Sequence, residues 1–265
     1  MANYLSIVKT LESTNISVRG LGQVVVDPAT IEVGNRSVVA RCRVTGMRGY
    51  KMIKCYLSSQ RRGDVGSRTF YPKSLRVYSI SGRVEYVDVA IGRWIAGDAL
   101  DVVFHRRGCD FSALSRAFDA FAHKHLKKGV IHGDIKPENI FVLPSGEMTL
   151  VDNDQLPASR SGNLQAKDYG TQYYTHRHRP MRRTDEYTDH YPLALQSAFL
   201  AALVYDSNFL YEQDTMEGYI AKVISILSEH NDTAHYKLIV ASQRSIMGKV
   251  EGIEELFESI VVADE

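Results

Sequence analysis

Apolar and polar residues alternate along the first third of the chain, as they do in half-buried β-strands. The clearest alternation lies in the segment VVARCRV, which is followed by the turn residues TGMRG. The pattern predicts four strands, at Val38–Val44, Tyr50–Leu57, Leu75–Ile80 and Val84–Ile91. Residues 2–13 are predicted to form a short helix, and Ser13–Gly22 reads as a linker.

After Gly97 the apolar residues recur at helical spacing. Five helices are predicted, at Phe111–Lys127, Tyr191–Tyr205, Met216–Ser228, Thr233–Ser245 and Gly252–Val261. Strands followed by helices predict an α+β fold with two lobes. The predicted bounds are an N-terminal extension over residues 1–23, a β-rich lobe over 24–92 and a helical lobe over 93–265.

Composition narrows the class of protein. The chain has 265 residues, with 32 Lys and Arg against 31 Asp and Glu, so a net charge of +1 gives no reason to expect a nucleic-acid or membrane partner. Cys42, Cys55 and Cys109 form no CxxC pair, which favours a reducing compartment. The N-terminus lacks a signal-peptide pattern, and the apolar run Tyr191–Tyr205 suits a buried helix better than a membrane span. A cytoplasmic protein is expected.

Two polar motifs flank a predicted hairpin. The first reads HGDIKPEN and contains Asp134, Lys136 and Asn139; the second reads VDND and contains Asp152. Two short apolar runs separated by Pro-Ser-Gly predict strand, turn and strand between them, which brings Asn139 and Asp152 together. Their oxygens are hard ligands suited to Mg²⁺. The alternative is a polar hairpin with an incidental aspartate.

These motifs resemble the catalytic loop and the metal-binding loop of the protein-kinase family, whose patterns are HRDxKxxN and DFG. The resemblance implies a bilobal kinase-like fold that uses ATP and Mg²⁺. It implies that Asp134 accepts the proton of a substrate hydroxyl and that Lys136 neutralises charge on the transferred phosphoryl group. It implies that Asn139 and Asp152 hold the metal. Lys136 favours a protein kinase over the aminoglycoside-type phosphotransferases.

The resemblance also assigns residues to the nucleotide. Met52-Ile53-Lys54 matches the strand motif that ends in the phosphate-binding lysine, so Lys54 is chosen over Lys51; the alternative is a solvent-facing lysine. Gly34 and Ser37 resemble the end of a glycine-rich phosphate loop, although a lone glycine before a strand is more often a turn.

Further positions are assigned to the base. Val39 would cover the base, and Met52, larger than the usual alanine, could narrow its pocket. The segment around Trp94 resembles the hinge between kinase lobes, where Arg93 and Ile95 would supply backbone groups to the adenine. A plain loop is the compatible alternative there.

Other segments resemble kinase elements that act on the substrate or on the fold. Gly170 to Tyr174, GTQYY, resembles part of an activation segment, and Asp189 resembles the aspartate that ties the following helix to the catalytic-loop backbone. The basic run 175–183 is a solvated loop or recognises an acidic or phosphorylated partner.

The chain departs from the family at several positions. Leu57–Ser74 contains no glutamate that could pair with Lys54, and Asp64 is the only acid in that segment. Asn153-Asp154 replaces Phe-Gly after the metal aspartate, and Gly133 replaces the arginine of HRD. The leading hypothesis is a serine/threonine protein kinase acting on a protein substrate. The alternatives are a pseudokinase scaffold and a small-molecule kinase.

Overall fold

The computed structural model describes residues 3–34, 36–60, 68–79, 81–152, 164–165, 173–179, 183–211 and 215–263. The chain divides into two compact units, Met1–Ile95 and Ala96–Glu265. Strands dominate unit 1 and helices dominate unit 2, so the predicted α+β class is confirmed. The predicted kinase-lobe bounds at residues 23/24 and 92/93 stay predictions.

Among its described residues, unit 1 contains one α-helix and seven strands. They are α1 (Tyr4–Glu12), β1 (Asn15–Val18), β2 (Gly22–Val26), β3 (Glu32–Val33), β4 (Ser37–Val44), β5 (Lys51–Tyr56), β6 (Thr69–Tyr78) and β7 (Val84–Arg93). The strands form one sheet in the order β2-β1-β6-β7-β5-β4-β3. Because β2 also pairs with β4, through Val24 and Val44, the sheet closes on itself like a barrel.

The interior of this sheet is apolar because alternate residues of each strand point inward. Val38 on β4, Ile53 on β5 and Val89 on β7 are fully buried there. Helix α1 adds Ile7 and Leu11 to the same core. The segment predicted as an N-terminal extension therefore contributes to the core of unit 1.

Two predictions in unit 1 were wrong in detail. The segment Ser13–Gly22, predicted to be a linker, contains β1, which forms a hairpin with β2. The strand predicted at Leu75–Ile80 is β6, which starts already at Thr69. Its ladder shifts register between Tyr71 and Leu75. The strands predicted at Val38–Val44, Tyr50–Leu57 and Val84–Ile91 are confirmed as β4, β5 and β7, with shifts of up to two residues at their ends.

Unit 2 contains six helices and five short strands among its described residues. They are β8 (Asp98–Ala99), α2 (Leu100–Phe104), α3 (Phe111–Lys128), β9 (Ile140–Val142), β10 (Met148–Leu150), β11 (Leu164–Gln165), β12 (Arg183–Thr184), α4 (His190–Tyr205), α5 (Met216–Glu229), α6 (Thr233–Arg244) and α7 (Ile253–Ala263). The five helices predicted from apolar spacing are confirmed as α3 to α7.

Helix α4 lies at the centre of unit 2. Leu193, Ala194 and Ala198 are fully buried, and α4 packs against α3, α5 and α6. An apolar helix that is buried on every side is the expected outcome for a sequence with no polar face. No helix in the described part of the chain is long and apolar enough to cross a membrane.

The predicted hairpin after HGDIKPEN is present. Strands β9 and β10 pair antiparallel, and β8 adds to the edge of β9. Gly97 precedes β8 at a point of close backbone approach, where a Cβ would lie 2.6 Å from the carbonyl oxygen of Val142. Only glycine fits there without displacing the backbone.

Candidate functional site

Asp134, Lys136 and Asn139 converge in unit 2 in the loop between α3 and β9. The Asn139 side-chain nitrogen donates to the Asp134 backbone oxygen at 2.8 Å and to Asp134 Oδ2 at 3.1 Å. The Lys136 Nζ lies 3.6 Å from the same Oδ2. Because the amide nitrogen of Asn139 is committed to Asp134, its oxygen is the atom that could ligate a cation.

Asp152 follows the last strand of the hairpin, whose end is hydrogen-bonded to Asn139. The Val151 N–H donates to the Asn139 carbonyl oxygen at 2.9 Å, which closes the open end of the hairpin. Asp152 follows directly and has a φ of 63°, in the left-handed region that non-glycine residues rarely adopt. Such backbone strain is concentrated at functional sites.

His132 connects the loop to the end of the hairpin. Its Nε2 donates to the Val151 carbonyl oxygen at 2.8 Å, since a carbonyl can only accept. Its Nδ1 lies 3.4 Å from the Asp134 N–H and accepts from it. The buried ring therefore holds the backbones of Asp134 and Val151 at a fixed separation.

Asp189, at the N-terminus of α4, binds the backbone of the same loop. Its carboxylate accepts from the His132 N–H at 2.6 Å and from the Gly133 N–H at 2.8 Å. The prediction that Asp189 ties α4 to this loop is confirmed. Gly133 has a φ of 83°, which a glycine adopts without the strain that a side chain would bring.

His125 is a further residue of this network that the sequence did not reveal. The Nε2 of His125, on α3, lies 2.9 Å from Asp189 Oδ2, and both side chains are buried. Burial by itself would raise the pKa of Asp189, but the hydrogen bond and electrostatic attraction of His125, together with the hydrogen bond from the His132 N–H, lower it below its usual value. Asp189 is therefore an ionised, buried anchor.

The donor set at Asn139 and Asp152 fits Mg²⁺. Both provide hard oxygen ligands, and Mg²⁺ is usually held by one or two carboxylates together with substrate phosphates. Within the described ranges, no group of three His, Cys, Asp or Glu side chains could hold a metal ion.

Lys54 lies on the outward face of the sheet in unit 1. Lys54 pairs with Val39 on β4 and with Ala90 on β7, and Met52 lies two residues earlier on the same face. Only 7% of Lys54 is exposed, and its Nζ lies 5.6 Å from the centre of the Tyr56 ring. The structure therefore excludes the alternative of a solvent-facing lysine at this position.

The other predicted nucleotide residues occupy unit 1 as follows. Gly34 follows β3, and its N–H donates to the carbonyl oxygen of Ser37, the first residue of β4. Arg93 ends β7 and is exposed, whereas Ile95 lies in the loop after β7 and is half-buried. The structure brings Val39, Met52 and Lys54 together, and the roles of all these residues stay predictions.

Several other predictions fall outside the described residues. They concern Asp64, Asn153-Asp154 and Gly170 to Gln172. In the basic run 175–183, Arg177 and His178 are exposed, whereas Arg179 is buried and forms an ion pair with Asp185. Arg179 also donates to the Met247 carbonyl oxygen at 3.1 Å. This arginine therefore holds the segment against the rest of unit 2.

No protein-family model matches this chain, and no curated protein matches its sequence.

Proposed function

We propose that this chain is an ATP-dependent phosphotransferase with a protein kinase-like fold that acts on serine or threonine hydroxyls of a protein. The arrangement of Asp134, Lys136 and Asn139 carries the proposal. It combines a carboxylate that can accept a proton, a lysine ammonium within 3.6 Å of it and an amide oxygen suited to a metal. Asp189 supports the arrangement by fixing the backbone of the loop.

Each residue then has a role in phosphoryl transfer, which requires alignment and neutralisation of negative charge more than covalent help. Asp134 accepts the proton of the substrate hydroxyl. Asn139 orients the Asp134 carboxylate by donating a hydrogen bond to Oδ2. Lys136 offsets negative charge on the transferred group. Asn139 and Asp152 would hold Mg²⁺, and Lys54 would contact the nucleotide phosphates. Bound Mg²⁺ and ATP supply the phosphoryl group and the cation that stabilises its charge.

A scaffold that binds nucleotide without useful turnover is the second candidate. The segment between β5 and β6 of unit 1 favours this candidate. In the protein-kinase family a helix between the lysine strand and the next strand provides a glutamate that orients the lysine. Here β6 already starts at Thr69, and Leu57–Ser74 contains no glutamate. Loss of this orientation can slow phosphoryl transfer on the order of 10²-fold.

The same gap is compatible with an enzyme that turns over slowly, and we propose a slow enzyme as the primary function.

Calorimetry of ATP binding with and without Mg²⁺ tests the proposal. Wild-type protein should bind ATP in a Mg²⁺-dependent manner, and Asp152→Ala should abolish that dependence because one of two metal ligands is lost. Asp206→Ala is the matched control, since Asp206 is a half-buried carboxylate of unit 2 that pairs with Lys222 at 3.8 Å. ATP binding without phosphotransfer to protein would support the scaffold, and absence of ATP binding would overturn both candidates.

A further inference from the structure

Two exposed tyrosines are neighbours on the outer surface of the sheet in unit 1. In the ladder between β6 and β7, Tyr86 lies opposite Arg76 and Tyr78 lies opposite Val84, so the two tyrosines are diagonal neighbours. Tyr78 is 55% exposed and Tyr86 is 46% exposed. Diagonal neighbours in an antiparallel ladder are about 7–8 Å apart. The sheet therefore presents two adjacent aromatic rings to solvent.

An arginine accompanies each of these rings. The guanidinium carbon of Arg76 lies 4.9 Å from the centre of the Tyr78 ring, and that of Arg19 lies 5.2 Å from the centre of the Tyr86 ring. Both arginines are exposed, and within the described ranges neither forms an ion pair with an acidic side chain. Their charges are therefore available to an anion. Arg19, Arg76, Tyr78 and Tyr86 together are called the tyrosine-arginine face.

No acidic residue is among the exposed outward positions that the structure describes on β1, β2, β6 and β7. The outward positions beside the face are those of Asn15, Ser17, Gln23, Val25 and Val84. Glu85 alternates to the inner side of β7, opposite the buried Val77. Asp88 is buried, and its carboxylate accepts from the backbone N–H groups of Gln60 and Lys73, each at 2.7 Å. The face is therefore locally positive, although the net charge of the whole chain is only +1.

This combination of side chains fits an anion that carries planar rings. Arginine binds phosphate groups, and its planar guanidinium also stacks on nucleic-acid bases. An exposed tyrosine is a stacking surface for any base, because every base has a π-face. A phosphorylated peptide segment would satisfy the arginines but would leave both tyrosine rings without a partner. The bases of a duplex are already stacked on each other, so they do not reach the rings.

We propose that the tyrosine-arginine face binds single-stranded nucleic acid, whose bases stack on Tyr78 and Tyr86 and whose phosphates contact Arg19 and Arg76. The near-zero net charge of the chain is no obstacle, because stacking supplies much of the affinity and the arginines act locally. None of these four residues belongs to the candidate site, so the proposal is independent of the proposed phosphotransfer.

Fluorescence anisotropy with a labelled oligothymidylate of about 12 nucleotides tests the proposal on the wild-type protein. An abasic strand with the same number of phosphates should bind more weakly by at least roughly 5-fold, because each stacked base contributes at least this factor. Equal affinity for the two strands, or no binding of either, would overturn the proposal. Tighter binding of a phosphoserine peptide of equal charge would overturn it in favour of a phosphorylated segment.

Replacement of one ring tests the role of stacking. Tyr86→Leu keeps an apolar side chain but lacks the ring, so it should bind oligothymidylate more weakly by roughly 5- to 150-fold. Tyr86→Phe keeps the ring and should bind nearly as the wild type does. Tyr236→Leu is the matched control, because Tyr236 is an exposed tyrosine of α6 in unit 2. Unchanged binding by Tyr86→Leu would contradict the proposal; if this variant does not fold, the abasic strand still decides the question.

Salt dependence tests the role of the arginines. Two phosphate contacts predict a slope of about −1.4 in a plot of the logarithm of the binding constant against the logarithm of the salt concentration. Arg76→Gln should reduce the slope to about −0.7, because one contact is lost. Arg116→Gln, which changes an exposed arginine of α3, should keep the wild-type slope. A slope near zero for the wild-type protein, or an unchanged slope in Arg76→Gln, would rule out the assigned phosphate contacts.

An oligouridylate of the same length distinguishes RNA from DNA as the source of the strand. Tighter binding of oligouridylate supports the face with RNA as its ligand, and tighter binding of oligothymidylate supports it with DNA. Excess ATP with Mg²⁺ should not displace either strand, because Lys54, assigned to the nucleotide phosphates, is not part of the face. Displacement by ATP would place the strand in the nucleotide site and would disprove a separate binding surface.

Discussion

The carboxylate of Asp189 accepts the backbone N–H of His132 at 2.6 Å, although 57 residues separate them in the chain. Because this hydrogen bond is buried and involves a charged acceptor, it belongs to the stronger class of protein hydrogen bonds. It fixes the loop that contains Asp134 to the most buried helix of unit 2. The geometry of the candidate site therefore depends on the core of unit 2.

Replacement of Asp189 tests this dependence. Asp189→Asn removes the charge that His125, His132 and Gly133 contact, and it should lower the free energy of unfolding by about 3 kcal/mol. Urea denaturation measures the change. Glu258→Gln is the matched control, because the ion pair of Glu258 with Lys127, at 3.5 Å, is exposed. Equal stability of the two variants would mean that Asp189 does not anchor the loop.

A buried charged network between α3, α4 and α6 should make stability depend on pH. The Nε2 of His235 lies 3.2 Å from Asp119 Oδ2, its Nδ1 lies 2.9 Å from Asp232 Oδ2, and Ser197 donates to Asp119 at 2.5 Å. Burial alone would lower the pKa of His235, but hydrogen bonds and charges from Asp119 and Asp232 raise it to about 10.

Because folding raises the pKa of His235, the contribution of this histidine to stability should decrease as pH rises. The unfolded histidine has a pKa of 6.5, so the contribution of His235 is fully present below about pH 6.5 and is lost as pH rises towards about 10. Stability should fall over this window by up to about 1.4 kcal/mol per pH unit for each proton retained only by the folded state. His235→Gln should flatten the profile, whereas the exposed His178→Gln should not. An unchanged slope in His235→Gln would disprove the assignment.

Gly97 should not tolerate a side chain. In Gly97→Ala the new methyl group would lie 2.6 Å from the Val142 carbonyl oxygen, so β8 must move away from β9. We expect a loss of about 1–3 kcal/mol in thermal or urea unfolding. Gly34→Ala is the control, because a methyl group there would lie 3.6 Å from the Ser37 carbonyl oxygen, at ordinary contact distance. Similar stability of the two variants would show that the close approach at Gly97 is relieved without cost.

The two lysines of β5 form a matched pair for the nucleotide site. Lys54 is buried, whereas Lys51 is partly exposed, lies three residues earlier in β5 and therefore points to the opposite face of the sheet. Lys54→Ala should reduce phosphotransfer on the order of 10²-fold, the scale of a misplaced reacting group, and Lys51→Ala should leave it nearly unchanged.

The partner of Lys54 can be identified by adding Asp64→Ala. If Asp64 orients the lysine, this variant should lose as much activity as Lys54→Ala, and the double variant should lose little more. A silent Asp64→Ala would show that another group orients Lys54. Full activity and full ATP affinity in Lys54→Ala would show that the assignment of Lys54 is wrong.

The sequence predicted the elements whose signals are local. The helices α3 to α7 and the hairpin β9–β10 follow from apolar spacing and from the turn Pro-Ser-Gly. It missed the start of β6 because Pro72 and the positive φ of Lys73, 44°, interrupt the alternation at the bulge. It also missed β1, a strand of only four residues that depends on pairing with β2.

In the candidate site too, the sequence revealed residues that are close along the chain and missed contacts between distant segments. The residues of HGDIKPEN were identified because they lie close together in the sequence. His125 could not be identified in this way, because its partner Asp189 is 64 residues away in the chain. A lone histidine on a helix also gives no sequence signal of a functional role. Closure of the sheet through β2 and β4 depends likewise on pairing between distant segments.

Phosphotransfer by Asp134→Asn tests the central claim most directly. The asparagine keeps the shape and can still accept the hydrogen bond from Asn139, but it cannot accept the proton of a substrate hydroxyl. With radiolabelled ATP and a serine-containing protein substrate, the wild-type protein should transfer phosphate slowly. The variant should be slower by roughly 10²–10⁴-fold with nearly unchanged ATP affinity. Transfer at the wild-type rate by Asp134→Asn, or no transfer by the wild-type protein, would contradict the account.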